Sequence, residues 1–119
     1  MSKILNLAGK WKYNEDYGYG LANGELHLSQ EGNKVQGRII FTDNLHNEEA
    51  FMIQEFVEGV IIDNKIIIDA VEWDIIHSEK EIVYELDSWN GDIVSEELIQ
   101  GKSMDDQGIE GRFEFKKMI

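Results

Sequence analysis

The chain is 119 residues long and carries 24 acidic against 11 basic side chains, a formal net charge of −13 with a pI near 4.5. One domain spanning 1–119 is expected at this length, and so negative a chain repels phosphate, which excludes nucleic acid and anionic membrane surfaces as general partners. With 42% hydrophobic residues there is enough apolar surface to offset the entropy of ordering, so a packed core is expected rather than disorder.

Residues 1–7 read as irregular, and the first strand is predicted over 8–14. Leu26-His27-Leu28 alternates within a second strand, 24–30, and Val35-Gln36-Gly37-Arg38-Ile39 within a third, 34–42; a period of two places alternate residues on opposite faces. Glu31-Gly32-Asn33 separates the two as a turn. The stretch 43–50 is irregular and, like 1–7, has room for a short helical turn. Strands follow at 51–62 and 65–76 around Asp63-Asn64, then at 81–89 and 92–103 around Asn90-Gly91. Both dipeptides can supply the positive-φ residues of a tight hairpin. The last strand, 108–117, contains the alternating run Ile109 to Phe115. This pattern turns Leu26, Leu28, Val35, Ile39, Phe41, Ile109, Phe113 and Phe115 inward, with Gly37 and Gly111 admitting close approach or sharp strand coiling. Sequential strands joined by short loops imply an antiparallel meander, and closing it removes the exposed edges. The expected fold is all-β, a small antiparallel up-and-down barrel of about eight strands.

Several classes of site are missing. Cysteine is absent, so there is no disulfide framework, thiolate nucleophile or Cys-containing metal site. His27, His46 and His77 are dispersed, and no His-Glu-x-x-His, Gly-x-Ser-x-Gly or phosphate-loop pattern occurs. Met104-Asp105-Asp106-Gln107-Gly108 lacks the spacing and bidentate Glu of an EF-hand loop and reads as a turn. No enzyme activity, metal or cofactor is expected. The opening MSKILNLAGKW lacks the apolar stretch of about 7–15 residues of a secretory signal, and no run reaches the ~18 apolar residues of a membrane span, so a cytoplasmic location is expected.

The first strand reads Gly9-Lys10-Trp11 and the last Gly111-Arg112-Phe113. This resembles the calycin group, the lipocalin, fatty-acid-binding and avidin-like barrels, in which a Gly-x-Trp on the first strand meets a basic residue of the last strand at the closed end. The resemblance implies a lipocalin-like barrel with Trp11 and Arg112 as its structural closure, a guanidinium over an indole contributing about 0.5–2 kcal/mol. The other reading makes Trp11 a core indole and Arg112 an exposed charge on an alternating strand. Avidin-like barrels place an Asn two positions beyond this Trp; here Tyr13 stands there, with Asn14 on the opposite face, which argues against biotin.

A barrel of this size is just wide enough to be filled by side chains or to hold one small ligand. A modest cavity lined by Tyr13, Leu28, Phe41, Tyr84 and Phe113 is expected, with Trp73 and Trp89 lining or covering the mouth. The leading function is a non-enzymatic binding protein for a small hydrophobic or aromatic ligand. The alternative is an acidic interaction module, such as an immunity or inhibitor protein neutralising a basic enzyme or toxin. Sixteen acidic residues lie between Asp43 and Glu97 against only Lys65 and Lys80, so the middle strands carry the negative field. Within them Glu55, Glu58, Asp69, Glu72 and Glu85 are expected to steer a basic protein, and apolar residues such as Ile61, Ile67 and Ile76 to form an interface centre, including that of any homodimer. The same charges also suit a plain solvated face.

Overall fold

A computed structural model describes residues 5–16, 20–45, 51–77, 87–105, 108 and 110–118. Eight antiparallel strands form a closed barrel in sequence order: β1 (Gly9–Asp16), β2 (Gly20–Glu31), β3 (Lys34–Leu45), β4 (Phe51–Ile62), β5 (Lys65–His77), β6 (Asp87–Ser95), β7 (Leu98–Asp105) and β8 (Glu110–Lys117). The expected fold class is the observed one. β1 pairs with β8 as well as β2, so no edge is left open. Alternation does the sorting: Trp11 and Tyr13 face in while Lys10, Lys12 and Asn14 face out. Leu26, Leu28, Val35, Ile39, Phe41, Phe113 and Phe115 are buried as their parity requires; the side chain of Ile109 lies outside the described residues.

The two ends of the barrel are built differently. At one end β2–β3, β4–β5 and β6–β7 are joined by two-residue turns at 32–33, 63–64 and 96–97. Gly32 (φ 62°) and Asp63 (φ 55°) supply the left-handed residues of the first two. The third turn is not at Asn90-Gly91, as the sequence implies. Those residues run through β6, Asn90 opposite Lys102 and Gly91 opposite Gly101. Gly91 faces the interior, where a Cβ would lie 2.7 Å from Ile99 Cγ2 and 3.2 Å from the Phe113 ring. The glycine therefore serves packing. The turn instead uses Ser95, whose Oγ accepts the Glu97 N–H at 3.1 Å.

The chain before β1 covers this same end. Leu7 is buried, its N–H donating to Gln30 Oε1 at 2.7 Å, while Gln30 Nε2 donates to the carbonyls of Leu5 (2.8 Å) and Gly32 (2.9 Å). Trp11 Nε1 donates to Leu7 O at 3.0 Å. The Lys117 ammonium sits 4.9 Å from the Trp11 ring centroid and donates to Ala8 O. Arg112 is thus not the closure residue. In the β1–β8 register Trp11 pairs with Lys117 and Arg112 with Asp16, and Arg112 has the outward parity of its strand. Trp11 is the buried indole the resemblance implies, with a different basic partner.

The middle strands, apolar on both faces in the sequence, are resolved by a bulge. Phe56 pairs with Glu72 but Val57 with Ala70, which leaves Val71 as the extra residue, 51% exposed. Ile66, Ile68 and Ala70 are buried before it and Trp73 packs against the core after it, so the inward parity of β5 changes at Val71. Ile61, expected at an exposed apolar centre, is buried, whereas Ile67 is exposed; the side chain of Ile76 lies outside the described residues.

Candidate functional site

Above the closed end the interior is aromatic. The Tyr13 ring meets Phe41 edge-on at 5.6 Å between centroids and Trp89 at 6.3 Å, and lies 5.5 Å from Phe115, which in turn is 4.9 Å from Phe113. Of the residues expected to line a ligand cavity, Tyr13, Phe41 and Phe113 are therefore brought into one cluster. Leu28 is buried but pairs with Gly9, four residues along β2 from the Gly24 that pairs with Tyr13, so it belongs to the closed end. Tyr84 lies outside the described residues. Trp89, expected at the mouth, is a core residue. These side chains pack against one another as part of one buried cluster.

On the far side of Tyr13 from the closed end the interior turns polar. Glu15 stands two residues beyond Tyr13 on the same face of β1. Its Oε1 accepts the Tyr13 hydroxyl at 2.6 Å and the Trp89 indole N–H at 3.1 Å, and Ser103 also hydrogen-bonds its carboxylate. Burial, the largest influence, raises Glu15 above the ordinary carboxyl value against the pull of these donors, and nearby Asp87 adds to the rise. Burial and the Glu15 charge likewise push the Tyr13 phenol well above its usual range.

Glu55, expected on the surface as a steering charge, is 0% exposed. It shares its parity on β4 with Ile53, Val57 and Ile61, all buried, so the alternation that fills the core also turns this carboxyl inward. Neither oxygen makes a well-formed hydrogen bond among the described residues. Desolvation first, then the negative charges of Asp87 and Glu15, drive its pKa far above the ordinary carboxyl value, with only the Asp87 backbone pulling the other way, so it keeps its proton at neutral pH. As a carboxylate Glu55 has only the poorly formed contact from the Asp87 backbone; as an acid it has the Asp87 carboxylate beside it to share the proton. Glu15, Glu55, Asp87, Tyr13, Trp89 and Ser103 form a polar tier that the sequence reading did not assemble. Parity was the available signal, since Glu15 continues the inward series of Trp11 and Tyr13.

The other described residues expected to steer a partner lie on the surface. Glu58 and Asp69 are exposed and directly opposite one another on β4 and β5, and Glu72 is exposed opposite Phe56. Glu85 lies outside the described residues. An open groove of about 540 Å³ crosses the outer face of β2–β4, with His27, Ser29, Gln36, Arg38, Phe56 and Glu58 along it.

No family model matches the chain, and no curated protein matches it. Solved structures do. The chain is similar to a redesigned β-barrel, mFAP1, bound to DFHBI, at 9% identity with a TM-score of 0.65, covering 93% of this chain and 94% of that one. It is also similar to EF1p2_mFAP2b bound to DFHBI (9% identity, TM-score 0.63, 94% of each chain) and to a de novo designed fluorescence-activating β-barrel (12% identity, TM-score 0.56, 93% of each chain). The likeness is one of fold.

Proposed function

We propose that this barrel is a cytoplasmic, non-enzymatic binding protein of the calycin kind, holding a small aromatic ligand at the polar tier. Glu55 carries the reading: a carboxyl buried without a well-formed hydrogen bond is costly, and replacing such a group with an aliphatic side chain commonly leaves stability unchanged or improves it. A barrel built for stability alone has no use for it, whereas ligand sites combine apolar and aromatic walls with a few converging polar groups. The two cross-strand partners of Glu15 are Ala22, which is small, and Phe113, which is aromatic, and Ser103 is its third donor. Two designed barrels of similar fold hold DFHBI, which supports a ligand role for this architecture. Trp11 under the Lys117 ammonium agrees with a calycin-like closed end. Titration with 2-naphthylmethanol, followed by tryptophan fluorescence, should show saturable one-site binding that Ala22→Leu abolishes by adding bulk beside Glu15. Absence of binding to the unmodified protein, with a bare mass in native mass spectrometry of protein from its own host, overturns the reading.

Docking of a basic protein is the second reading, favoured by Glu58, Asp69 and Glu72 flanking the exposed Phe56 and Ile67 on the outer face of β4–β5. Its mark is a partner retained at low salt and released near 1 M, where the Debye length falls to ~3 Å.

A further inference from the structure

Glu55 is fully buried and feels the charges of Asp87 and Glu15, in an interior otherwise walled by aromatic and aliphatic side chains such as Tyr13 and Trp89. Like charges in a low dielectric oppose one another's ionisation, and a solvated acidic patch would avoid that by facing out. Glu55 is acted on by Glu15 from β1 and Asp87 from β6, and is paired across the strands with Ile39 of β3 and Trp73 of β5; none of these is cationic. Neither Glu15 nor Glu55 forms an ion pair among the described residues. Of the three donors that reach Glu15, those of Tyr13 and Trp89 share one oxygen, and together with Ser103 they hold the carboxylate in place.

The complement to this arrangement is a positive charge that also donates hydrogen bonds. Among the described residues no three His, Asp or Glu side chains converge as metal ligands. The aromatic walls match an organic cation better, because ring faces attract ammonium groups and carboxylates make their strongest hydrogen bonds to charged N–H donors. Resting on the small-ligand reading above, we propose that the ligand is a primary aryl-alkyl amine, its ring against Tyr13 and Trp89 and its ammonium received by Glu55 beside Asp87 and Glu15. In the free protein Glu55 holds a proton; the ammonium replaces it, so one positive charge enters and one proton leaves to solvent. Specificity for the cation then comes from a carboxyl that, as an anion, lacks a well-formed hydrogen bond until the amine arrives.

Three probes with one ring system separate charge from shape: 2-naphthylmethylamine, 2-naphthylmethanol and 2-naphthoate, compared by calorimetry at ~0.15 M salt. The amine should bind at least about tenfold tighter than the alcohol, and the naphthoate weakest. Repeating the titration in buffers of different ionisation heat should show close to one proton released per amine bound and none per alcohol. Amine affinity should climb by up to about tenfold per pH unit between about pH 6 and 8 while alcohol affinity stays level. Glu55→Gln should bring the amine down to the affinity of the alcohol and abolish proton release, whereas Glu58→Gln, on the outer face, should change neither. Equal affinity for amine and alcohol in the unmodified protein overturns the cation assignment and leaves small-ligand binding standing. A preference for the amine that survives Glu55→Gln without proton release overturns it too, assigning the preference to the net surface charge. Failure of all three probes to bind overturns this inference, and together with a bare mass in native mass spectrometry of protein from its own host it removes the small-ligand reading as well.

Discussion

At the closed end the polar groups that packing buries find partners: the Trp11 indole N–H meets Leu7 O, the Gln30 amide bonds in both directions, and the Lys117 ammonium meets both Ala8 O and the Trp11 ring. At the polar tier Glu55 has no well-formed hydrogen bond and Glu15 is ionised less readily than an ordinary carboxyl. The same alternation produces both, since Trp11, Tyr13 and Glu15 are successive inward residues of one strand. One end of the barrel therefore satisfies its buried polar groups, whereas at the other the described residues leave Glu55 without a well-formed hydrogen bond. On the proposed reading, stability and recognition are separated along the barrel axis, and substitutions at the two ends should act with opposite sign.

The largest effect is expected from Trp11→Ala. The indole is fully buried, and its removal takes away both its packing and the ring under Lys117; the loss should be about 3–5 kcal/mol, measured as a fall in the urea midpoint with an unchanged slope. Glu55→Leu should move stability the other way at neutral pH, by about 1–3 kcal/mol. If both substitutions destabilise equally, the contrast between the ends is wrong.

The pH dependence gives that second substitution an independent check. Glu55 has its folded-state pKa raised, so the folded protein keeps a proton that the unfolded chain gives up. The associated stability is complete below the ordinary carboxyl pKa and is lost as pH rises toward the raised folded-state value; Glu15 acts in the same direction. Stability should thus decline from mildly acid through neutral pH, by at most ~1.4 kcal/mol per pH unit for one proton. Denaturant unfolding at a series of pH values should show this slope in the unmodified protein and a flatter one in Glu55→Gln.

At the closed end, Lys117→Met should cost about 1 kcal/mol through the lost contact with the indole and with Ala8 O, while Arg112→Met, on the outward face, should lie within about 0.5 kcal/mol of the unmodified protein. Equal losses would restore Arg112 as the closure residue.

What the sequence disclosed follows from how each feature is encoded. Period-two alternation marks an inward set directly, so the barrel and most of its core, from Leu26 to Phe115, were legible. Lys117 was encoded just as plainly, since it shares parity with Phe113 and Phe115; the choice of Arg112 went against the alternation of its own strand. Asn90-Gly91 misled because a hairpin turn and an interior glycine both favour the same residue, for positive φ in one case and for the space beside Ile99 and Phe113 in the other. The real turn carries no glycine and depends on the Ser95 hydroxyl. The bulge at Val71 has no local signal at all and appears only when β4 and β5 are paired. Glu55 was missed because charge was allowed to outweigh parity: its neighbours two residues away on either side are Ile53 and Val57, and the carboxyl goes where they go.

The outer face of β4–β5 offers the smallest and most specific test of the contrast. Glu58 and Asp69 are cross-strand partners, both exposed, and like charges directly opposite one another weaken a strand pair. Reversing one of them should relieve that repulsion and substitute an attraction, so Glu58→Lys should raise stability by a few tenths to about 1 kcal/mol, an increment that shrinks as salt is added. The double variant Glu58→Lys with Asp69→Lys restores a like-charge pair and should return stability to near the starting value, which separates the local pair from a general lowering of net charge. Neither change reaches the polar tier, so the affinity for 2-naphthylmethanol should be the same in both variants as in the unmodified protein. If reversal at Glu58 weakened binding of the neutral probe, the surface charge and the interior site would be coupled, and the separation of folding and recognition along the barrel would fail at its outer wall.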